Sequence, residues 1–242
     1  MLPEGSSIQI ADGQEIWAPD VMLIDDVYHV FYAVSKSGFQ NSSIGLATST
    51  TLDVGTWTDH GTLNIPLDSR WNKIDPNIFH AAADQPYYFV FGSSWDGIFQ
   101  TQLDPASGFL DQLGDGPVQK AYNSTTYVDS TQVSITEGGY QFWVANATGD
   151  GTPYYYLFFS SGACCNIVED LAALGDEYKV MVCRSTSPTG PFADNQGRDC
   201  QTENGGTLVL ASHDDVYAPG GQGVFEDEGR VVMYYHYGMC RY

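Results

Sequence analysis

Lys73-Ile74-Asp75-Pro76-Asn77-Ile78-Phe79 places an aspartate immediately before a proline. The fixed φ and missing N–H of that proline confine it to the start or the edge of a strand. Variants of the arrangement recur along the chain. Trp17-Ala18-Pro19-Asp20-Val21 reverses proline and acid, Val216-Tyr217-Ala218-Pro219-Gly220 keeps the proline without an adjacent acid, and Glu137 opens a further unit. After each comes a hydrophobic segment, a turn and an aromatic strand, at residues 28–34, 87–92, 154–160 and 231–237. A unit repeated in this way predicts an all-β fold of propeller type, with Asp20, Asp75 and Glu137 at innermost strand ends and residues 14–237 forming the blades. A face-packed aromatic sandwich is the alternative, and it gives no reason for acids to recur at the same point of each unit.

Composition agrees with that reading. A chain of 242 residues with 14% aromatics and 26 glycines favours short strands and tight turns over helices, and a single all-β domain over residues 1–242 can hold it. Nine Lys and Arg against 30 Asp and Glu leave a formal charge of −21, which disfavours nucleic acid and anionic lipid as partners. No apolar run approaches the roughly 20 residues that cross a bilayer, so no membrane partner is expected.

The first unit reads as four strands in sequence: residues 17–21, 27–32, 44–49 and 56–61, with Asp25-Asp26 as the first turn. The second repeats the plan through Asp75, residues 87–91 and residues 98–101. The third runs from Glu137-Gly138-Gly139 through residues 154–159 and 178–183, and the fourth has residues 216–224, the turn Asp227-Glu228-Gly229 and residues 231–235. His213-Asp214-Asp215 reads as a solvated turn. No Gly-x-Ser-x-Gly elbow supports serine hydrolysis.

The start Met1-Leu2-Pro3-Glu4-Gly5 lacks the basic and apolar regions of a secretory leader. Other features point outside the cell. Asn41-Ser42-Ser43, Asn123-Ser124-Thr125 and Asn146-Ala147-Thr148 are glycosylation triplets in polar settings. Of the five cysteines, Cys183 and Cys200 are a plausible bridge. Adjacent Cys164-Cys165 fit either a vicinal disulfide or two thiols, Cys240 has no evident partner, and reduced thiols throughout remain the alternative.

Trp17-Ala18-Pro19-Asp20-Val21, Ser43-Ile44-Gly45-Leu46-Ala47-Thr48-Ser49, Ile74-Asp75-Pro76-Asn77, Gly92-Ser93-Ser94-Trp95-Asp96 and Cys183-Arg184-Ser185-Thr186-Ser187-Pro188-Thr189-Gly190 together resemble glycoside hydrolase family 43, and within it the fungal endo-1,5-α-L-arabinanases. The likeness covers nearly the whole chain. It implies a five-bladed β-propeller, here incomplete at about four blades, with the first blade mostly absent and the last unfinished. It also implies an extracellular enzyme, monomeric if complete, that cleaves arabinan with inversion at the sugar carbon. β-Xylosidase and α-arabinofuranosidase activities are neighbouring choices.

An inverting glycosidase needs a carboxylic acid to protonate the leaving oxygen and a carboxylate to activate water, roughly 6.5–9.5 Å apart. A third carboxylate nearby favours the protonated form of the acid by like-charge repulsion. The resemblance assigns Glu137 as the acid and Asp75 as the residue that tunes and orients it. Asp20, Asn77, Ser94 and Gln222 are expected as polar contacts to sugar hydroxyls, and Trp17 and Trp95 fit either a sugar-stacking platform or the core. The resemblance places His236 at an axial position that holds a calcium-type ion largely through water; the bland alternative is a structural histidine. The family's base is an aspartate in a His-Asp-Pro context, which this sequence lacks. The expectation for residues 1–242 is therefore sugar binding with weak or absent hydrolysis, and an impaired arabinan-binding fragment is the competing reading.

Overall fold

The structure, a computed structural model, describes residues 2–124, 127–128, 133–164 and 171–239. Among them there is no α-helix, only a 3-10 turn at Pro105–Ser107. They fall into two compact units, one of Met1–Gly92 with Gln100–Val118 and one of Ser93–Phe99 with Gln119–Tyr242.

The first sheet consists of β1 (Glu15–Ile24), β2 (Val27–Ser35), β3 (Ser43–Ser49) and β4 (Thr58–Thr62), antiparallel and paired in chain order. Its first turn is Asp25-Asp26, and both residues take positive φ, 48° and 63°. A two-residue hairpin loop needs this left-handed pair, and Asp tolerates it better than most side chains. Val30–Val34 are buried along β2, whereas β4 alternates between exposed and half-buried. β1 is also mostly exposed, so burial is greatest in the two middle strands, β2 and β3.

The second sheet has the order β5 (Asn77–Phe79), β6 (Tyr87–Phe91), β7 (Ile98–Leu103), β8 (Gln112–Ala121). Within the first unit Phe31 of β2 and Phe89 of β6, both fully buried, meet with ring centroids 5.2 Å apart, and Trp71 lies edge-on to Phe91 at 6.3 Å. Each such ring contributes about 1.5–3 kcal/mol by leaving water.

The second unit contains a short hairpin of β9 (Tyr127–Val128) and β10 (Val133–Ser134). It then has a four-stranded sheet of β11 (Thr136–Val144), β12 (Tyr154–Ser161), β13 (Lys179–Ser185) and β14 (Thr207–Leu210). A two-stranded sheet of β15 (Val216–Asp227) and β16 (Arg230–Met239) follows. Three four-stranded sheets follow the strand order expected of propeller blades, and the described residues hold two further sheets of two strands each, β9–β10 and β15–β16. β8, β14 and the β9–β10 hairpin are strands that the sequence reading did not identify. Asp20 also departs from expectation: it lies within β1, paired with Phe31, because that strand begins before Trp17.

The connection from β13 to β14 is braced in two ways. Cys183 and Cys200 form the expected disulfide, with Cα atoms 6.6 Å apart. Cys164 is also disulfide-bonded, while the expectations for Cys165 and Cys240 fall outside the described residues. Between the bridged cysteines, the buried Asp194 accepts from the backbone N–H of Gln196 and Arg198, each at 2.9 Å, and from Arg198 Nε at 2.7 Å. Burial alone would raise its carboxyl, but these donors hold it down at about 2. A carboxyl depressed on folding stabilises above its unfolded pKa, so this contribution is complete above about pH 4 and is lost as pH falls toward 2. Asp194→Ala is expected to cost about 2–3 kcal/mol in urea unfolding at pH 7. An unchanged midpoint would show that the loop holds without this clasp.

Candidate functional site

In the first unit, β1 carries a bulge between Trp17 and Pro19, where proline cannot donate to the ladder. Beyond it, Asp20 Oδ2 accepts from Asn77 Nδ2 at 3.0 Å and from the Ile78 N–H at 2.8 Å, which ties β1 to the start of β5. Burial pushes the Asp20 carboxyl up to about 6, and the two donors offset only part of that cost. Asn77 is 2% exposed, so its amide serves Asp20 and is not open to a sugar as expected. Half-buried Trp17 donates from Nε1 to Glu15 Oε2 at 3.3 Å.

The raised Asp20 pKa has a measurable consequence. The folded state holds this proton more tightly than the unfolded chain, so stability falls as pH rises from about 4 to about 6. A shift from 3.8 to about 6 corresponds to roughly 3 kcal/mol. Asp20→Asn keeps an acceptor for Ile78 N–H and removes the titration. Relative to that variant, the parent should lose roughly 2.5 kcal/mol in urea unfolding between pH 4 and pH 7; identical pH profiles would contradict the assignment.

Asp75 is half-buried, with φ +53° immediately before Pro76. Its backbone is pinned on both sides: Ile74 C=O accepts from the Gly92 N–H at 2.9 Å, and Asn77 pairs with Val90. A left-handed non-glycine residue costs on the order of 1–3 kcal/mol, a strain that persists where surrounding structure fixes it.

In the second unit, Glu137 is half-buried on β11 opposite Ser160, just before a bulge that ends at Tyr140. Gly138 supplies the bulge with φ +62°. Both carboxylate oxygens of Glu137 are engaged: Tyr178 Oη donates to Oε1 at 2.7 Å, and Ser93 Oγ donates to Oε2 in a very short contact. Gln222 on β15 is 4% exposed and spans the next layer, accepting from Ser160 Oγ at 2.8 Å and donating to Gly138 C=O at 2.7 Å. Both ends of its amide are spent inside the protein, so it braces the bulge beside Glu137 rather than meeting sugar. Gly220 is required here, since a Cβ would lie 2.0 Å from Tyr178 Cε1.

Ser94 and Trp95, both half-buried, take consecutive left-handed conformations with φ 52° and 40°. The turn closes with Gly97 N–H donating to Ser94 C=O at 2.5 Å, and Gln119 Nε2 donates to Asp96 C=O at 2.7 Å. A strained turn held in this way presents Trp95 on a fixed backbone. His236 on β16 is exposed and pairs in register with Gly220, and a Cβ on Gly221 would lie 3.1 Å from its Nδ1. Among the described residues no group of three or more His, Cys, Asp or Glu side chains is placed to hold a metal. His213-Asp214-Asp215 is an exposed turn, as expected.

The structure thus brings Asp20 together with Asn77, and Glu137 with two hydroxyls that the sequence reading did not single out. Ser93 lies one residue ahead of Ser94 in the Gly92–Asp96 motif. Tyr178, at the opening of the strand expected over residues 178–183, lies just before β13, tied by its N–H to Ala163 C=O at 2.9 Å.

The model of the Glycosyl hydrolases family 43 matches residues 1–241. The arabinan endo-1,5-alpha-L-arabinosidase A of Aspergillus niger is 46% identical over 240 residues, a match that covers 98% of this chain and 69% of the relative. The protein of the same name from Aspergillus aculeatus is 44% identical with the same coverage. Among solved structures, an exo-1,5-alpha-L-arabinanase from a bovine ruminal metagenomic library superposes with TM-score 0.76 at 27% identity, covering 93% of this chain and 70% of that one. The Cellvibrio cellulosa alpha-L-arabinanase complexed with arabinohexaose superposes with TM-score 0.75 at 26% identity, covering 92% and 69%.

Proposed function

Because the chain belongs to family 43 of the glycosyl hydrolases, we propose that it cleaves internal α-1,5 links of L-arabinan with inversion, as a secreted glycoprotein acting on plant polysaccharide. The observation that carries the reading is Glu137, a carboxyl group on the first strand of its sheet with a hydroxyl donor on each oxygen. Glu137 would protonate the leaving oxygen, and Tyr178 and Ser93 would meet the charge that remains on its carboxylate. Asp75, on a fixed left-handed turn, would tune and orient the acid. Residues 1–242 lack the His-Asp-Pro aspartate on which the expectation of weak or absent hydrolysis rests, so cleavage by this chain requires another base; Asp20 is the first to test, since a base is most effective with a pKa near the working pH and burial moves Asp20 in that direction.

Trp95 on its strained turn, with Ser94, and Trp17 beside the β1 bulge would provide sugar-stacking and polar contacts. A calcium-type ion held largely through water would take His236 as its protein donor. The Cys183–Cys200 bridge supports an oxidising, extracellular setting. No described helix is long and apolar enough to cross a membrane.

Tyr178→Phe tests the role of the clamp. A hydrogen bond to a charged group contributes about 1.5–3 kcal/mol, so kcat on linear arabinan should fall about 10- to 100-fold with KM little changed. A change confined to KM would move Tyr178 from the acid to substrate binding.

A further inference from the structure

The three glycosylation triplets occupy different structural settings, and those settings sort them. We propose that Asn41 and Asn146 are the N-glycan acceptors of this chain and that Asn123, despite carrying the same signal, is not. The proposal rests on the secretory reading above for its biological setting only.

In the transfer, asparagine Nδ2 attacks C1 of a lipid-linked oligosaccharide pyrophosphate supplied by the host's secretory membrane. A C–N bond forms and the C1–O bond breaks. The bonding electrons leave with the lipid pyrophosphate, and Nδ2 gives up one proton. The folded product must then tolerate a bulky, hydrated group on Nδ2, which requires that nitrogen to be open to solvent and uncommitted.

Asn146 meets both requirements. It lies in the exposed stretch between β11 and β12, where residues 145–151 are all exposed. Its Oδ1 accepts from the Gly151 N–H at 2.8 Å, which fixes the side chain through the carbonyl and leaves Nδ2 without a hydrogen bond to any described residue. Asn41 is exposed between β2 and β3, and its side chain makes no hydrogen bond to a described residue. It lines two cavities of about 410 and 450 Å³ together with Leu67 and Lys73, so there is space beside it.

Asn123 is held differently. Its Nδ2 donates at 3.0 Å to Ser161 Oγ, a residue only 2% exposed, and its backbone N–H donates at 3.1 Å to Oγ1 of the fully buried Thr136. A sugar replaces one of the two Nδ2 hydrogens, so the remaining N–H could keep Ser161 only with the sugar directed out from this half-buried side chain; otherwise Asn123 loses that partner. Glycosylation precedes folding, so a chain modified there would have to fold with a sugar beside the Ser161 contact, and that fraction would be retained rather than secreted.

The test is secretion of residues 1–242 from yeast behind a host leader, with peptide-level mapping after peptide-N-glycosidase treatment in heavy-oxygen water. The secreted, folded fraction should carry glycans at Asn41 and Asn146 and an unmodified Asn123. Asn41→Gln and Asn146→Gln should each remove one glycan step from the intact mass, and the double variant should show none. A glycan on Asn123 in the folded fraction, or an unmodified Asn41 or Asn146, would overturn the assignment. The host leader makes this result independent of the natural compartment, which is tested separately by locating the native product in culture fluid or in cells.

Discussion

Glu137→Gln is expected to lower turnover of linear α-1,5-arabinan by about 10²–10⁴-fold, the range over which a positioned general acid contributes. Glutamine retains the shape of the side chain, and its amide oxygen can still accept from Tyr178 or Ser93, so the bulge at Gly138 and the brace from Gln222 stay in place. It cannot deliver a proton to a departing sugar oxygen. The loss therefore belongs in kcat, with arabino-oligosaccharide binding by calorimetry unchanged. Aryl arabinosides with good leaving groups should recover much of the rate, because they leave without protonation. A variant equally slow on both substrate types would place Glu137 outside the acid role.

Gly220→Ala is expected to damage both stability and rate. The added Cβ would stand 2.0 and 2.3 Å from Cε1 and Cδ1 of Tyr178 and 2.9 Å from Ser160 Oγ. The φ of Gly220 is open to any residue, so the conflict is purely steric. The Tyr178 ring is 8% exposed and cannot withdraw without loosening its bond to Glu137. Overpacking costs about 1–3 kcal/mol. The rate should fall at least as far as in Tyr178→Phe, about 10- to 100-fold. Thermal unfolding and kcat should move together, and an unchanged kcat in a destabilised protein would show that the ring yields without releasing the acid.

The second strands of the sheets were legible in the sequence because they carry aromatic runs, as in residues 87–91, buried at all but the first position, and 154–159, buried at every second position. The outer strands were less so. β8 carries Gly114, Gly116 and Pro117 and lies mostly at the surface, and β14 has four residues with none buried, so neither offers an apolar signal. The candidate site divided along a similar line. Asp20, Asp75 and Glu137 stand out because a carboxyl group near a strand start is conspicuous. Ser93 and Tyr178 do not, since a hydroxyl gains meaning only from what it meets, here Glu137 from residues 44 and 41 positions away. Gln222 and Asn77 show the converse: as polar residues near a site they read as sugar contacts, and folding spends their amides on protein partners.

Inverting hydrolysis of arabinan, as proposed, depends on Glu137. Proton NMR of linear α-1,5-arabino-oligosaccharides incubated with the protein reports the configuration of the first reducing ends before mutarotation. β-Configured ends are expected to form first, and Glu137→Gln, at equal concentration, to form almost none. First-formed α-configured ends, or an undiminished rate in Glu137→Gln, would contradict that proposal.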